Sequence, residues 1–410
     1  MYIYKLLKRI FFCNFYSMET NIIYIKKMKE KYYVVAKSIY RWKLDNWFEN
    51  WLGYKADKSE FWKKLYVMYY RIFDNAYYNN GLSYIYREIE RQYPNLPNFL
   101  VDGRGKRWLK RDMIYSLHRF GINFTEYFVH KIYSLNALGR DQINNLRLQY
   151  GFCELVNEPE VRELFDNKGL TYEKFKPFYK RDLITVNSIE DLHIFESFLE
   201  QHNSFIYKPL KGVCGKGIKI YKDIYADHKV LFDDFLKNGP YVIEELIEQG
   251  KEMALLHPES INTLRIATFR IKDDVIIYGA AVRMGTGRSI VDNAGSGGIF
   301  CHVNHDYGFI DTNAKDYLNN TYVYHPDTAI RFIGFNIPQW EEAKELVISM
   351  AKIVNGATVI SWDLAYSKKG WCMVEANDVG GQNMIQGNGV YNKYILHNLM
   401  DKYFDTCHDN

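Results

Sequence analysis

The segment between residues 362 and 377 constrains the fold of this chain most, because its pattern is that of two β-strands joined by a tight turn. Apolar and polar residues alternate on both sides of a turn at Ser367 to Gly370. Successive side chains of a strand point to opposite faces, so Asp363, Glu375 and Asn377 are predicted to share one face. The opposite, apolar face would carry Trp362, Leu364, Val374 and Ala376. The sequence therefore predicts a hairpin that places two carboxylates side by side.

Symmetric closure of this hairpin would put Asp363 directly opposite Glu375, with residues 366 and 372 flanking the turn. Like charges at opposite positions of a sheet are destabilising, and a divalent cation bound by carboxylate and amide oxygens commonly offsets them. We therefore interpret Asp363, Glu375 and Asn377 as ligands of a magnesium ion. A solvated polar face on an edge hairpin is the alternative that this pattern alone leaves open.

The length and charge of the chain limit the classes of protein to consider. A chain of 410 residues has room for two or three domains, and 47% hydrophobic with 25% charged residues is ordinary for a soluble globular protein. The formal charge of +4 is small, and its excess lies within residues 1–50, so no nucleic-acid partner is expected. This basic segment could contact a membrane surface, or it could be a solvated helix face.

Cysteine usage and hydropathy indicate the compartment. The six cysteines, at positions 13, 153, 214, 301, 372 and 407, show no CxxC spacing, and free thiols in a reducing compartment are expected. The apolar run at residues 10–13 is too short to span a bilayer and lacks a small-residue cleavage site. No transmembrane segment and a cytoplasmic location are therefore expected.

Residue periodicity divides the chain into three regions. Residues from about 20 to 150 carry helical spacing of aromatic and aliphatic residues, the pattern from Glu154 to Gln201 is mixed, and strand patterns dominate from Ser204 onwards. We assign residues 1–110 to a helical N-terminal region, residues 111–200 to an α/β region and residues 201–400 to a strand-rich domain. A helix is predicted from about Pro338 to Val354, just before the last hairpin. There is no internal repeat.

Lys208 stands at the end of a predicted strand, Phe205 to Pro209, and a glycine-rich loop follows it. Gly212, Gly215 and Gly217, with Lys216 between them, would let the loop turn backbone N–H groups towards phosphate oxygens. The loop leads into a second predicted strand, Ile218 to Ile220, which excludes a Walker loop and the dinucleotide fingerprint, since both open a helix. A simple turn between two strands remains possible.

The predicted strand from Tyr241 to Ile247 runs into an acidic end at Glu248. Such a strand end can offer backbone groups to an adenine edge and a carboxylate to ribose hydroxyls. An exposed acidic strand end is the alternative.

Two further predicted strands, Thr263 to Ile271 and Val275 to Arg283, each carry an arginine. A three-residue loop at Lys272 to Asp274 would place Arg265 and Arg283 on the same face. Guanidinium groups suit phosphate and carboxylate because they donate in a fixed fork. Two arginines near a carboxylate site indicate an anionic substrate.

The order of these segments, over roughly residues 208–386, resembles the ATP-grasp superfamily. Within it, the chain is similar to the sugar-transfer-associated ATP-grasp group, which is related to α-L-glutamate ligases. The matching residues are Ser260 to Arg265, Asp292-Asn293 with Gly297-Gly298, His325 to Thr328, and Gly334 with Ile337-Pro338. No role is assigned to His325 by this resemblance.

The resemblance implies an α+β protein with the ATP-grasp fold, in which two α+β subdomains sandwich ATP, preceded by a helical N-terminal region. Residues 111–200 would be a region before the ATP-grasp domain, and residues 201–400 that domain. Lys208 and the loop residues Gly212, Gly215, Lys216 and Gly217 would hold phosphates. Glu244, Glu245, Leu246, Ile247 and Glu248 would line the adenosine, with Glu248 or Glu252 on the ribose. Asp363, Glu375 and Asn377 would hold Mg²⁺.

The resemblance also implies a reaction. Members of this superfamily usually phosphorylate a carboxylate and let an amine or similar nucleophile attack the acyl phosphate, with Arg265 and Arg283 at the transferred phosphoryl group. The partners would be ATP and a carboxylate substrate, with sugar-linked acids as one option and glycan biosynthesis as the context that the family name suggests. The alternatives are an ATP-dependent phosphotransferase on the same fold and a non-catalytic nucleotide-binding scaffold.

Overall fold

The computed structural model describes residues 47–73, 90, 96–97, 103–211, 217–224, 227–289, 292, 297–318, 320–378, 382–386, 389 and 393–408. The basic segment at the N-terminus and the loop residues Gly212, Gly215 and Lys216 lie outside these ranges. The chain divides into two compact units, residues 1–70 and residues 71–410. In the first unit, Trp51 and Trp62 meet edge to face with ring centroids 5.2 Å apart.

Helices dominate the N-terminal part that is described, as the spacing of apolar residues predicts. The α-helices are Trp47–Ala56, Glu60–Phe73, Gly103–Phe120, Phe124–Val129, Ala137–Asp141, Leu146–Val156, Pro159–Asp166, Lys168–Tyr179, Leu192–Gln201, His228–Leu236, Lys251–Ala254, Trp340–Ala351, Gln382–Ile385 and Lys393–His408. Short 3₁₀ helices cover Ile132–Ser134 and Ile189–Asp191. None of these helices is long and apolar enough to cross a bilayer.

Twelve strands occur among the described residues, and they form two antiparallel sheets. They are β1 Leu183–Val186, β2 Phe205–Pro209, β3 Lys219–Tyr221, β4 Tyr241–Glu245, β5 Thr263–Ile271, β6 Asp274–Met284, β7 Ile299–Asn304, β8 Phe309–Ile310, β9 Ala314–Lys315, β10 Thr321–Tyr322, β11 Val359–Ser367 and β12 Gly370–Asn377. The small sheet has the order β1-β4-β2-β3. The large sheet has the order β10-β9-β7-β6-β5-β11-β12, with β8 paired to β7. Mixed helix and antiparallel sheet confirm the α+β class.

Strand β1 belongs to the small sheet although it lies within the range 111–200, which the sequence assigns to a separate region. It pairs with β4 through Leu183 opposite Glu244 and Val186 opposite Tyr241. The helices 192–201 and 228–236 cover one face of this sheet through buried residues such as Phe195 and Phe232. The strand before the helix 192–201 is therefore part of the same layer as the predicted lysine strand.

The large sheet has one face in the main core and one face that is only partly covered. Ile266, Val282 and Trp362 lie in the core with the helix 340–351. On the other face, Ala281 and Phe300 pack with residues of the helices 146–156, 382–385 and 393–408. The arginines and carboxylates that the sequence singles out are on this second face.

Candidate active site

The hairpin β11–β12 brings Asp363 and Glu375 opposite each other, as the alternation predicts. The strand register near the turn, however, differs from the register that symmetric closure predicts. Tyr366 pairs with Trp371 rather than with residue 372, and a bulge between Asp363 and Leu364 shifts the register by one residue. A bulge inserts one extra residue into a strand, and here it restores the predicted pairing. Asn377 lies opposite Ser361, on the same face as both carboxylates.

The hairpin β5–β6 repeats this behaviour. Ile271 pairs with Asp274, so the connection has two residues rather than the predicted three. A register shift between Ala267 and Thr268 compensates for the shorter turn, and Arg265 still faces Ala281. Arg283 lies opposite Thr263 and therefore on the same face as Arg265. The predicted juxtaposition of the two arginines is confirmed.

Asp363 is the centre of a charge network on this face. Arg265 donates to it from two nitrogens, Nε to Oδ1 at 2.7 Å and Nη2 to Oδ2 at 2.6 Å, and Arg283 donates to Oδ2 at 3.0 Å. The Asp363 side chain is completely buried. Burial alone would raise its pKa, but the two guanidinium groups outweigh burial and hold the pKa well below its usual range. Asp363 is therefore a permanent anion inside the sheet.

Glu375 has a different environment from its neighbour. Half of its side chain, 50%, is exposed, and Arg265 Nη2 is 4.0 Å from its Oε1. Its pKa is raised because surrounding protein atoms desolvate the carboxyl group and because Asp363 lies beside it. Asn377 next to it has an Nδ2 atom that is buried without a hydrogen-bond partner. The two residues form the open side of the cluster.

Asp292 adds a third carboxylate. Its Oδ2 accepts a hydrogen bond from the Thr263 backbone N–H at 3.2 Å and another from the Thr263 hydroxyl, and it lies 3.4 Å from Arg283 Nε. Although burial lowers the pKa of Arg283, the carboxylates Asp292 and Asp363 raise it overall. We call Arg265, Arg283, Asp292, Asp363 and Glu375 the Asp363 cluster.

A second buried charge network lies in the small sheet and contains two of the predicted nucleotide ligands. Lys208 Nζ is 2.6 Å from Glu244 Oε1, and Arg181 donates to Glu244 Oε2 from Nε at 3.0 Å and from Nη2 at 2.7 Å. Burial would raise the pKa of Glu244, but Lys208 and Arg181 lower it to about 2. We call these three residues the Lys208 cluster. Arg181 also donates to the backbone oxygen of Met373 at 2.6 Å and so connects the small sheet to β12.

The remaining predicted nucleotide ligands lie along the chain after Glu244. Glu245 accepts from the Asp182 backbone N–H at 3.1 Å and lies 3.3 Å from Lys369 Nζ. Leu246 and Ile247 are half-buried, and Glu248 is exposed and paired with Lys368. Gly217 ends the glycine loop with a φ of +77°, and a Cβ atom there would lie 2.9 Å from Pro209 Cγ. A glycine is therefore required where this loop returns to the strand carrying Lys208.

Lys168 is a charged residue of this region that the sequence pattern does not single out. It begins the helix Lys168–Tyr179, and its pKa is lowered, mainly by burial. Glu375, Lys208 and Glu244 are the charges that act on it most strongly, which places it between the two clusters. Its backbone N–H donates to Leu210 just after the lysine strand, at 3.4 Å. Asn167 caps this helix by accepting from the Gly169 and Leu170 N–H groups, and an asparagine at such a position is the sequence pattern that indicates a helix N-terminus just before Lys168.

Two antiparallel sheets, a lysine strand followed by a glycine loop, and paired carboxylates with arginines on the second sheet are together characteristic of the ATP-grasp proteins. The family model described as sugar-transfer associated ATP-grasp matches residues 147–399. This match covers well over half of the sequence, so the chain belongs to the sugar-transfer associated ATP-grasp family.

Solved structures show more distant similarity. The VanG D-Ala:D-Ser ligase from Enterococcus faecalis is 14% identical, with a TM-score of 0.40 over 62% of this chain and 68% of that chain. The N5-carboxyaminoimidazole synthetase from Staphylococcus aureus complexed with ADP is 12% identical, with a TM-score of 0.37 over 58% of this chain and 52% of that chain. The N5-carboxyaminoimidazole ribonucleotide synthetase from Thermotoga maritima is 14% identical, with a TM-score of 0.30 over 53% of this chain and 42% of that chain. This chain thus matches only about half of the length of the two synthetases. No curated protein matches the sequence.

Proposed function

We propose that this protein is an ATP- and Mg²⁺-dependent carboxylate ligase that forms an acyl phosphate, which an amine or similar nucleophile then attacks. The charge balance of the two clusters supports this proposal. In the Lys208 cluster two cations share one carboxylate, and in the Asp363 cluster three carboxylates share two guanidinium groups. The first has a surplus of positive charge, suited to phosphates, and the second a surplus of negative charge, suited to a cation.

The residues of the Asp363 cluster fit a magnesium ion by their donor chemistry. Glu375 offers carboxylate oxygens on the open side, Asp363 lies beside it, and Asn377 offers an amide oxygen from the neighbouring register position. Mg²⁺ prefers such oxygen ligands. The raised pKa of Glu375 fits the same interpretation, because two adjacent carboxylates compete for a proton unless a cation neutralises them. These residues would hold the ion, and its positive charge would offset the negative charge of the nucleotide phosphates.

The chain's own side chains would position the reactants. Lys208 and Lys168 would bind the nucleotide phosphates, with the glycine loop over them and residues 244–248 along the adenosine. Arg283 and Arg265 would orient the acid, so that its carboxylate oxygen attacks the γ-phosphorus and ADP leaves. Attack of the amine at the acyl carbon then releases phosphate and a proton. This chemistry depends mainly on positioning and on fixed positive charge, which these residues supply.

The substrate is proposed to be a sugar-linked carboxylic acid, with the product used in polysaccharide or other cell-surface glycan synthesis. The description of the family as sugar-transfer associated supports this context. A cytoplasmic location is proposed with it, because activated glycan precursors and ATP are available there.

The test is magnesium-dependent ADP release by the purified protein in the presence of a panel of small carboxylic acids and amines. We expect one acid class to stimulate ADP release and an amide to form in equal amount with ADP. A phosphorylated acceptor without an amide would favour the phosphotransferase alternative. ATP turnover that is unchanged in Glu375→Ala would overturn the enzymatic proposal.

A further inference from the structure

His325, the residue of the family-like segment without a role, belongs to a cluster that binds the chain just after β6. The strand ends at Met284, and Gly285 follows two residues after Arg283. The Gly285 backbone N–H donates to Ser260 Oγ at 3.1 Å, and its carbonyl oxygen is 3.0 Å from His325 Nε2. A Cβ atom at Gly285 would lie 2.7 Å from Ser260 Oγ. Both polar groups of this glycine are thus satisfied by side chains from other segments.

Gly287, two residues further on, is bound in the same way. Its backbone N–H donates to Asp327 Oδ2 at 2.7 Å, and its carbonyl oxygen is 3.0 Å from His257 Nε2. The four backbone groups of the two glycines therefore contact four different side chains. We call Ser260, His257, His325 and Asp327 the glycine clamp. Its members come from the segment before β5 and from the segment after β10.

The hydrogen bonds of the clamp define the protonation of both imidazoles. His257 Nδ1 accepts from the Ser260 backbone N–H, and His325 Nδ1 accepts from the Asp327 backbone N–H, each at 3.2 Å. The proton of each ring must then be on Nε2, where it is donated to a glycine carbonyl. A second proton would have to go on Nδ1, against a backbone N–H donor. The rings lie 5.3 Å apart, and both are buried.

Among the residues that the structure describes, one charged group is paired with both rings. The Asp327 carboxylate is 3.9 Å from His257 Nε2 and 3.8 Å from His325 Nδ1, and it favours the protonated state of His325. Burial, and the proximity of the other ring, oppose it and lower the pKa of His325. The His325 imidazole is thus neutral at neutral pH and gains a proton on acidification.

The clamp lies at the base of the segment that carries Asp292. Thr286 Oγ1 donates to the Gly297 carbonyl oxygen at 3.1 Å and so connects the two ends of this segment. Between them, Asp292 contacts Thr263 and Arg283 in the Asp363 cluster. Fixing Gly285 and Gly287 therefore fixes the exit of the strand that holds Arg283 and the direction in which the chain leads to Asp292.

We propose that the glycine clamp consists of positioning residues, which keep Asp292 and Arg283 in contact beside Asp363 only while the His325 imidazole is neutral. The catalytic consequence of the clamp rests on the proposed function, whereas the clamp itself does not. Acid conditions that protonate His325 would place an Nδ1–H against the Asp327 backbone N–H, move the ring away from the Gly285 carbonyl and reduce catalysis without removing any group that touches substrate.

Limited trypsin digestion of the full chain tests the clamp without any activity assay. Arg288 is exposed and is the one basic residue between positions 284 and 298, while Lys368, in the turn of the last hairpin, provides a reference site with a 70% exposed side chain. We expect His325→Ala to raise the ratio of cleavage after Arg288 to cleavage after Lys368 about tenfold, because proteolysis follows local opening. The wild-type ratio should also rise between pH 8 and pH 6. An unchanged ratio in both comparisons would overturn the proposal.

His325→Gln covers the case in which His325→Ala fails to fold. Glutamine retains an N–H donor for the Gly285 carbonyl but does not titrate, so its ratio should stay near the wild-type value at pH 8 and no longer change with pH. A ratio that still rose on acidification would contradict the role of this ring.

Asp327→Asn provides the kinetic readout. The amide oxygen can still accept from Gly287, but the negative charge facing both rings is gone, so the acid limb of magnesium-dependent ADP release should move to lower pH. A limb that stays in place would argue for a purely structural role. If the wild-type protein shows no ADP release with any acid, the proposed function fails while the digestion ratio still decides on the clamp.

Discussion

The Lys208 cluster and the Asp363 cluster have the same core arrangement and opposite surpluses of charge. In each, one buried carboxylate receives hydrogen bonds or ion pairs from two cationic side chains on neighbouring elements. Both oxygens of Glu244 are used within the protein, whereas Glu375 in the other cluster is half exposed with its nearest guanidinium nitrogen 4.0 Å away. A network such as the Lys208 cluster, in which both carboxylate oxygens are paired within the protein, connects parts of a fold. A network such as the Asp363 cluster, in which one carboxylate lacks a close cation, can accept a positively charged ligand.

The largest effect is expected for Asp363→Asn. This change removes the anion between two buried guanidinium groups, which should cost about 3–5 kcal/mol of the free energy of unfolding. It also disturbs the orientation of Arg265 and Arg283, so ADP release should become undetectable. Urea unfolding and the ADP assay measure the two losses. A stable, active variant would contradict the central place of Asp363 in its cluster.

Glu244→Gln should affect stability by a similar amount, about 3–5 kcal/mol, because it leaves Arg181 and Lys208 buried without their carboxylate. Glu245→Gln is the matched control, since its carboxylate accepts from the backbone of Asp182 and is nearer to solvent. We expect a loss below about 1 kcal/mol for the control. Equal losses of unfolding free energy in the two variants would show that the burial of Glu244 does not increase its contribution to stability.

The Lys208 cluster should also show in the pH dependence of stability. The pKa of Glu244 is about 2 in the folded protein against an ordinary value of 4.5. A lowered pKa stabilises the folded state above pH 4.5, and this contribution is lost as the pH falls from 4.5 towards 2. The stabilisation of the folded state by the lowered pKa of Glu244 amounts to about 3 kcal/mol. Urea unfolding at pH 5 and pH 3 should therefore give a smaller difference in Glu244→Gln than in the wild type.

Glu375→Gln should lower ADP release about 100-fold, or about 2.7 kcal/mol, with little change in the melting temperature. In the proposed function the half-exposed carboxylate contributes to ligand binding rather than to packing, which would separate it from Asp363 next to it. Glu248→Gln is the control, because Glu248 is an exposed glutamate paired with Lys368. A large fall in the melting temperature of Glu375→Gln would assign Glu375 to the fold instead.

The sequence predicts the strands and the residues that meet across them well, because alternation over two faces is strongly imposed where one face is buried. It does not predict how the register is reached. The pairing of Asp363 with Glu375 depends on a bulge in the hairpin β11–β12, and the placement of Arg265 and Arg283 on one face depends on a bulge in the hairpin β5–β6. Each bulge compensates for a turn that is one residue shorter than expected. A bulge depends on packing against neighbouring strands, and no local residue pattern predicts these two bulges.

Contacts distant in sequence are the part that a single sequence leaves open. Arg181 is 63 residues from Glu244 and has no pattern of its own, so its pairing emerges only from the packing of β1 against β4. The sequence assigns no role to His325 for the same reason, since its partner Gly285 is 40 residues away. Such pairs are set by tertiary structure, while the hairpin residues are set by nearest-neighbour alternation.

Arg181 has one more consequence. It donates to Glu244 in the small sheet and to the backbone of Met373 in the large one, and its guanidinium group lies over the Tyr179 ring at 4.6 Å. Any movement that separated the two sheets to admit a nucleotide would have to turn about this side chain or break its bond to Met373. Arg181 is thus one point at which such an opening would be resisted, and a shorter side chain there should weaken the connection between the two sheets and leave Glu244 paired with Lys208.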